Sequence, residues 1–219
     1  MLNGLAAVLA AGLIGTTVWL VGWSDATALD EVRVIGVDDE AADRVVETAA
    51  APLGRPLVRV DTEAIELAVG ELPEVADVSV SRSWPTAVTI AVTPRVAAAA
   101  IADGSSWWLV DSSGVLFGES SDQPAELPVL EATTDADAAQ TRAAGVAVLT
   151  GLPNDLHDLV AAVSAPTEAS VELTLDDGAT VLWGTADEMA RKAEVLLALL
   201  PEEAAHYDVS APANPAVSH

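Results

Sequence analysis

Cysteine is absent from the 219 residues, so thiol catalysis, thiolate metal sites and a disulfide framework are excluded. Lysine is almost absent: Lys192 stands with eight arginines against 34 acidic residues, for a formal net charge of −25. The clustered cations that phosphate neutralisation needs are missing, which argues against nucleic acid as a partner. The same sign disfavours anionic head groups and favours a basic protein surface. The acidity also serves simply to keep an alanine- and valine-rich chain soluble. Chemistry-bearing motifs are lacking too. There is no phosphate-binding glycine loop, no G-x-S-x-G elbow and no H-E-x-x-H. His157, His206 and His219 lack ligand spacing, and Asp135-x-Asp137 lacks the glycine and distal glutamate of a calcium loop. No catalytic residue, metal or cofactor is expected.

Charge is also missing from the first 24 residues, and this absence is informative. Leu5, Val8, Leu9, Leu13, Ile14, Val18, Trp19 and Leu20 lie in an uninterrupted uncharged run. About 20 helical residues cross the hydrocarbon layer, so residues 1–24 are expected to form a transmembrane anchor. Trp19 and Trp23 fall at one end, where indoles prefer the interface. Asp25, Asp30 and Glu31 follow at once, which places the C-terminal side outward. Ala26-Thr27-Ala28 fits a signal-peptide cleavage pattern, but the run exceeds a usual h-region, which favours an anchor. No Lys or Arg precedes the run, and whether a basic cytoplasmic tail belongs before it stays open.

Beyond the run, Val32, Val34 and Val37 suggest a short strand with Gly36 as breaker. Asp38 or Asp39 is placed to cap a helix whose Ala42, Val45, Val46 and Ala49 face a core. Asp61 or Thr62 would cap a second helix bearing Ile65, Val69 and Leu72. Val78 and Val80, then Val88, Ile90 and Val92, alternate at period two around a Ser83-Trp84-Pro85-Thr86 turn. The order is β-α-α-β-β, a small sheet with helices on one face. Arg82 and Trp84 read as a structural corner, Trp84 covering the sheet end.

The remainder begins with a turn at Asp103-Gly104 and continues as Trp107 to Phe117, a hairpin turning at Asp111 to Gly114. Asp135 to Leu149 reads as a helix, and Leu156, Leu159, Val160 and Val163 as a shorter one. Val171, Leu173 and Leu175 alternate into Asp176-Asp177-Gly178, which turns back to Thr180–Trp183. Thr185 and Glu188 have the spacing of a capping box for a helix ending at Pro201. Tyr207-Asp208-Val209-Ser210 suggests a last strand.

Several short motifs, in order, resemble the FtsQ/DivIB family of bacterial cell-division proteins. They are Val34-Ile35-Gly36, Gly54-Arg55-Pro56-Leu57 with Val60-Asp61, Leu72-Pro73-Glu74-Val75, and Val80-x-Arg82-x-Trp84-Pro85. In the second half they are the Trp107–Phe117 hairpin, Leu127-Pro128-Val129-Leu130, Val181-Leu182-Trp183-Gly184 and Tyr207-Asp208-Val209-Ser210. The family usually has an acid before the arginine and a proline two after it. Here Pro94 and Ala97 flank Arg95, so the junction between the halves stays open.

The resemblance implies an α+β fold: the anchor, a POTRA domain over 29–95, a mixed β-rich FtsQ-type domain over 96–212, and a tail over 213–219. It implies a non-enzymatic protein of the cell membrane, single-pass and extracytoplasmic, enriched at the septum. There it would scaffold divisome assembly by binding FtsB/FtsL-type partners, with the POTRA domain open to other division proteins. Carried over from the family's C-terminal partner site, the implied partner-binding residues are Tyr207, Asp208, Val209, Ser210, Ala211 and Pro212, with Trp183 and Gly184. If their strand lies at a sheet edge, its free backbone groups can accept a partner strand. An alternative is a POTRA-type polypeptide-docking protein of an envelope translocation or assembly system. A third is a hydrolase using dispersed carboxylates such as Asp111 and Asp177.

Overall fold

The computed structural model describes residues 11, 12, 15 and 25–219. The anchor positions Leu5, Val8, Leu9, Leu13, Ile14, Val18, Trp19 and Leu20 lie outside the described residues. Among those described, no helix is long and apolar enough to cross a membrane. The chain divides into two compact units between Arg95 and Val96.

The first unit is β1 (Glu31–Ile35), α1 (Asp39–Ala49), α2 (Thr62–Gly70), β2 (Val75–Ser83) and β3 (Ala87–Pro94). The sheet order is β1-β3-β2, with β1 parallel and β2 antiparallel to the central strand. Both helices begin where a carboxylate satisfies a free N–H. Asp38 accepts from Ala41 N at 2.9 Å, and Asp61 from Ala64 N at 3.1 Å. Each such cap is worth about 1 kcal/mol. Val45 and Ala49 of α1 and Ile65 and Val69 of α2 meet Val88, Ile90 and Val92 of β3 in one core. Val46, expected inward, is exposed. At Gly36 the backbone has φ +99°, and a Cβ would collide with the Val92 carbonyl, so only glycine ends β1 this way.

Two arginines staple this unit. Arg82 donates to the carbonyls of Leu57 (3.1 Å) and Val60 (2.6 Å), and Arg95 to those of Pro73 (2.9 Å) and Val75 (2.8 Å). Arg82 is thus the corner expected of it. Trp84 is not buried over the sheet end, since it leaves 52% of its surface exposed.

The second unit opens with a meander, β4 (Ala99–Asp103), β5 (Ser106–Val110) and β6 (Leu116–Ser120). A six-stranded sheet follows, formed by β7 (Leu130–Glu131), β8 (Val160–Thr167), β9 (Ser170–Leu175), β10 (Thr180–Gly184), β11 (His206–Asp208) and β12 (Ala216–Ser218). Its order is β12-β11-β10-β9-β8-β7. The helices are α3 (Ala139–Gly151), α4 (Asn154–His157) and α5 (Met189–Leu199). Leu130, Val146, Val163, Leu173, Val181 and Leu196 lie in its core.

Two local expectations are corrected. The helix suggested by Leu156, Leu159, Val160 and Val163 stops at His157, and Val160 and Val163 belong to β8. A short apolar run fits both periods, and pairing of Val163 with Leu173 decides for the strand. The capping box of Thr185 and Glu188 does not form. The Thr185 hydroxyl is taken by the Asp187 carboxylate (2.9 Å) and its carbonyl by Lys192 Nζ (2.8 Å). Glu188, at φ +51°, then becomes the residue before α5.

Candidate functional site

The end of the six-stranded sheet alternates cleanly. In β10 and β11, Val181 pairs with Tyr207, which pairs in turn with Val217 of β12. Val181 and Tyr207 are buried and Val217 is half-buried. On the other face, Leu182, Asp208 and Ala216 form one row, and Thr180, His206 and Ser218 the next. Glu172, opposite Leu182, extends this uncovered face onto β9. Thr180 Oγ1 and His206 Nδ1 share a hydrogen bond of 2.6 Å across it.

The structure moves the sheet edge. The strand at Tyr207, expected to lie there, is internal, flanked by β10 and β12; β12 is the edge strand. The chain reaches it through a turn at Ala211–Asn214, closed by Asn214 N–H donating to the Ala211 carbonyl (2.9 Å). Sequence reasoning missed this strand because three residues, Ala216-Val217-Ser218, are too few to show a period.

The eight partner-site candidates converge here but differ in access. Trp183, Gly184, Tyr207, Val209 and Pro212 are buried. Trp183 is fully enclosed, its indole N–H donating to Met189 Sδ at 3.1 Å. The Tyr207 hydroxyl accepts from Ala204 N (3.0 Å) and donates to the Leu200 carbonyl (3.4 Å). Val209 N–H donates to the Leu182 carbonyl at 3.0 Å. Asp208 is half-buried, and Ser210 and Ala211 are exposed. Asp208 accepts from both the N–H (2.9 Å) and the hydroxyl (2.6 Å) of Ser210, fixing the bend into the last turn.

The carboxylates that invited chemistry are spent on turns. Asp111 accepts from the N–H groups of Ser113 (2.9 Å) and Val115 (2.8 Å), and Asp177 from Ala179 N (2.9 Å). Among the described residues, no three His, Cys, Asp or Glu side chains are grouped to hold a metal. Two buried cations were invisible in the sequence. Arg142 donates to the carbonyls of Gly114 (2.7 Å), Thr133 (3.1 Å) and Asp135 (2.7 Å). Burial holds its pKa below the usual arginine value, Asp135 opposing. Lys192 is likewise pulled down by burial, with Asp187 and Glu188 opposing. Both helices are alanine-rich, so neither position announces its burial.

Comparison with known proteins gives this sheet its context. Residues 27–95 match the family "POTRA domain, FtsQ-type", and residues 99–211 match "Cell division protein FtsQ/DivIB, C-terminal". The chain belongs to the FtsQ/DivIB family.

Relatives named "Cell division protein FtsQ" extend the match across most of the sequence. That of Streptomyces bingchenggensis is 36% identical over 221 residues, covering 96% of this chain and 83% of its own. That of Mycobacterium tuberculosis is 32% identical over 217 residues, covering 99% and 69%. A solved structure of the major extracytoplasmic domain of DivIB from Geobacillus stearothermophilus matches at 20% identity and TM-score 0.33, covering 53% of this chain and 92% of that one. FtsQ/DivIB is a non-enzymatic division family.

Proposed function

We propose that this FtsQ/DivIB chain is a single-pass protein of the cell membrane. Its uncharged N-terminal run is the anchor, and its two units stand on the extracytoplasmic side at the division septum. There it scaffolds divisome assembly by holding FtsB/FtsL-type partners. The observation that carries the reading is the open edge of β12, beside the uncovered row of Leu182, Asp208 and Ala216. An edge strand offers unpaired N–H and C=O groups to an incoming strand, and the side chains beside it select what is accepted. Tyr207 and Val209 support this edge from beneath, and Asp208, Ser210 and Ala211 frame its turn.

The test uses the full chain co-purified with its FtsB- and FtsL-type partners. Neighbouring N–H groups in a strand point in opposite directions, so of Ala216→Pro and Val217→Pro one removes an outward donor. That variant should lose capture at least tenfold with circular dichroism unchanged. Full capture by both variants overturns the edge reading.

A further inference from the structure

The first unit carries an apolar surface that its core does not use. Trp84, at the β2–β3 turn, is 52% exposed; Leu53 and Val58, between α1 and α2, are 64% and 46% exposed. The two segments are held at one end of the unit by Arg82, whose guanidinium takes the carbonyls of Leu57 and Val60. The chain arriving from the apolar N-terminal run joins the same end. Leu29 N–H donates to the Arg55 carbonyl and Gly54 N–H to the Leu29 carbonyl, both at 2.9 Å, and Asp30 N–H donates to the Thr86 carbonyl at 2.8 Å.

Charge at this end departs from the rest of the chain. With 34 acids in the sequence, none falls between Thr48 and Val60 or between Val78 and Ala102. Exposed Arg55 and Arg59 lie in the first of these stretches. Of the acids flanking the first stretch and the chain entering at Leu29, Asp61 caps α2 and Glu31 is paired with Arg33 at 2.6 Å, leaving Asp30 and Glu47. Acids beyond a Debye length of about 8–10 Å are largely screened. The overall negative charge therefore does not decide what this end can touch.

We propose that this end is an interfacial contact with the phospholipid bilayer that anchors the chain. Leu53, Val58 and Trp84 enter the headgroup boundary, and Arg55 and Arg59 meet lipid phosphates. The proposal rests on the anchor reading above. Reach supports it: the six steps from Trp23 to Leu29 span roughly 20 Å even when fully extended, and the helical turn at Asp25–Thr27 shortens them. An indole with one apolar and one polar side belongs at that depth. Apolar side chains joined to cations are what binds a surface helix or loop to anionic lipid.

The lack of cysteine makes a clean test possible. The full chain carries one fluorophore at Val58→Cys, at Leu53→Cys as a second site, or at Asp77→Cys, about 20 Å along β2 from the turn. Each is reconstituted into phosphatidylcholine–phosphatidylglycerol vesicles containing headgroup spin-labelled lipid, and circular dichroism confirms the fold. Quenching at positions 58 and 53 should exceed that at 77 at least threefold, and Arg55→Glu should halve the excess. Equal quenching at all three sites in vesicles that float with the protein overturns the contact and leaves the anchor standing. Protein that fails to float with the vesicles overturns both.

Discussion

Replacing Tyr207 by Phe separates the two roles this residue could hold, supporting the sheet or touching a partner. The ring is buried and stays in place, so only the hydroxyl is lost. Its bond to the Leu200 carbonyl is long at 3.4 Å, and that carbonyl keeps the Glu203 N–H at 3.1 Å, so little is lost there. Ala204 N–H has the hydroxyl as its acceptor at 3.0 Å, and Ala204 is 5% exposed. A buried donor left unsatisfied costs about 1–3 kcal/mol. Y207F should therefore destabilise by about 2 kcal/mol. With m near 1–3 kcal/mol/M in urea, the midpoint falls by about 1 M at constant m. Partner capture under native conditions should be unchanged, because the β12 edge is intact. An unmoved midpoint would refute the hydrogen-bond argument. Lost capture at full stability would make Tyr207 a contact residue instead.

Arg142→Met should be the more damaging change. It takes the guanidinium from three carbonyls, of which that of Asp135 keeps the Ala138 N–H at 3.1 Å, and hydrogen bonds to a charged donor are worth about 1.5–3 kcal/mol each. After partial rehydration a loss of about 3–5 kcal/mol is expected in urea melts; under 1 kcal/mol would show that the loops at Gly114 and Thr133 do not depend on it. Lys192 makes stability pH-dependent. Its folded pKa lies below the unfolded value of about 10.4, so the unfolded chain binds more protons between the two, and stability rises with pH through that window. Lys192→Met should remove this rise and cost about 1–3 kcal/mol at neutral pH, because the Thr185 carbonyl loses its donor at 2.8 Å. An unchanged alkaline profile would refute the assignment.

How much the sequence disclosed depended on whether a signal was local. Asp38 and Asp61 were legible as caps because capping needs only neighbours in the chain, and the turns at Asp111 and Asp177 were legible for the same reason. Period two identified β2, β3 and β9, each long enough to show it. Val160 and Val163 fitted a helical period until long-range pairing with β9 settled them as strand. The capping box at Thr185 failed because its hydroxyl is engaged by the Asp187 carboxylate and the Glu188 carboxylate accepts from Arg191. At the candidate site, the cluster around Tyr207 could be located from motifs, but its burial could not. The true edge follows from where the last residues fold back, a decision made by the β11–β12 pairing and not by any pattern within Ala216–Ser218. Trp84 shows the converse: its motif suggested a covering role, and the structure leaves its indole half open.

The most direct test of the account is where the full chain sits in dividing cells, read with a fluorescent fusion at its N-terminus. The account predicts a band at mid-cell that appears as constriction begins and weakens in whichever of Ala216→Pro and Val217→Pro loses partner capture. An even rim around the cell, unaffected by either variant, would contradict it.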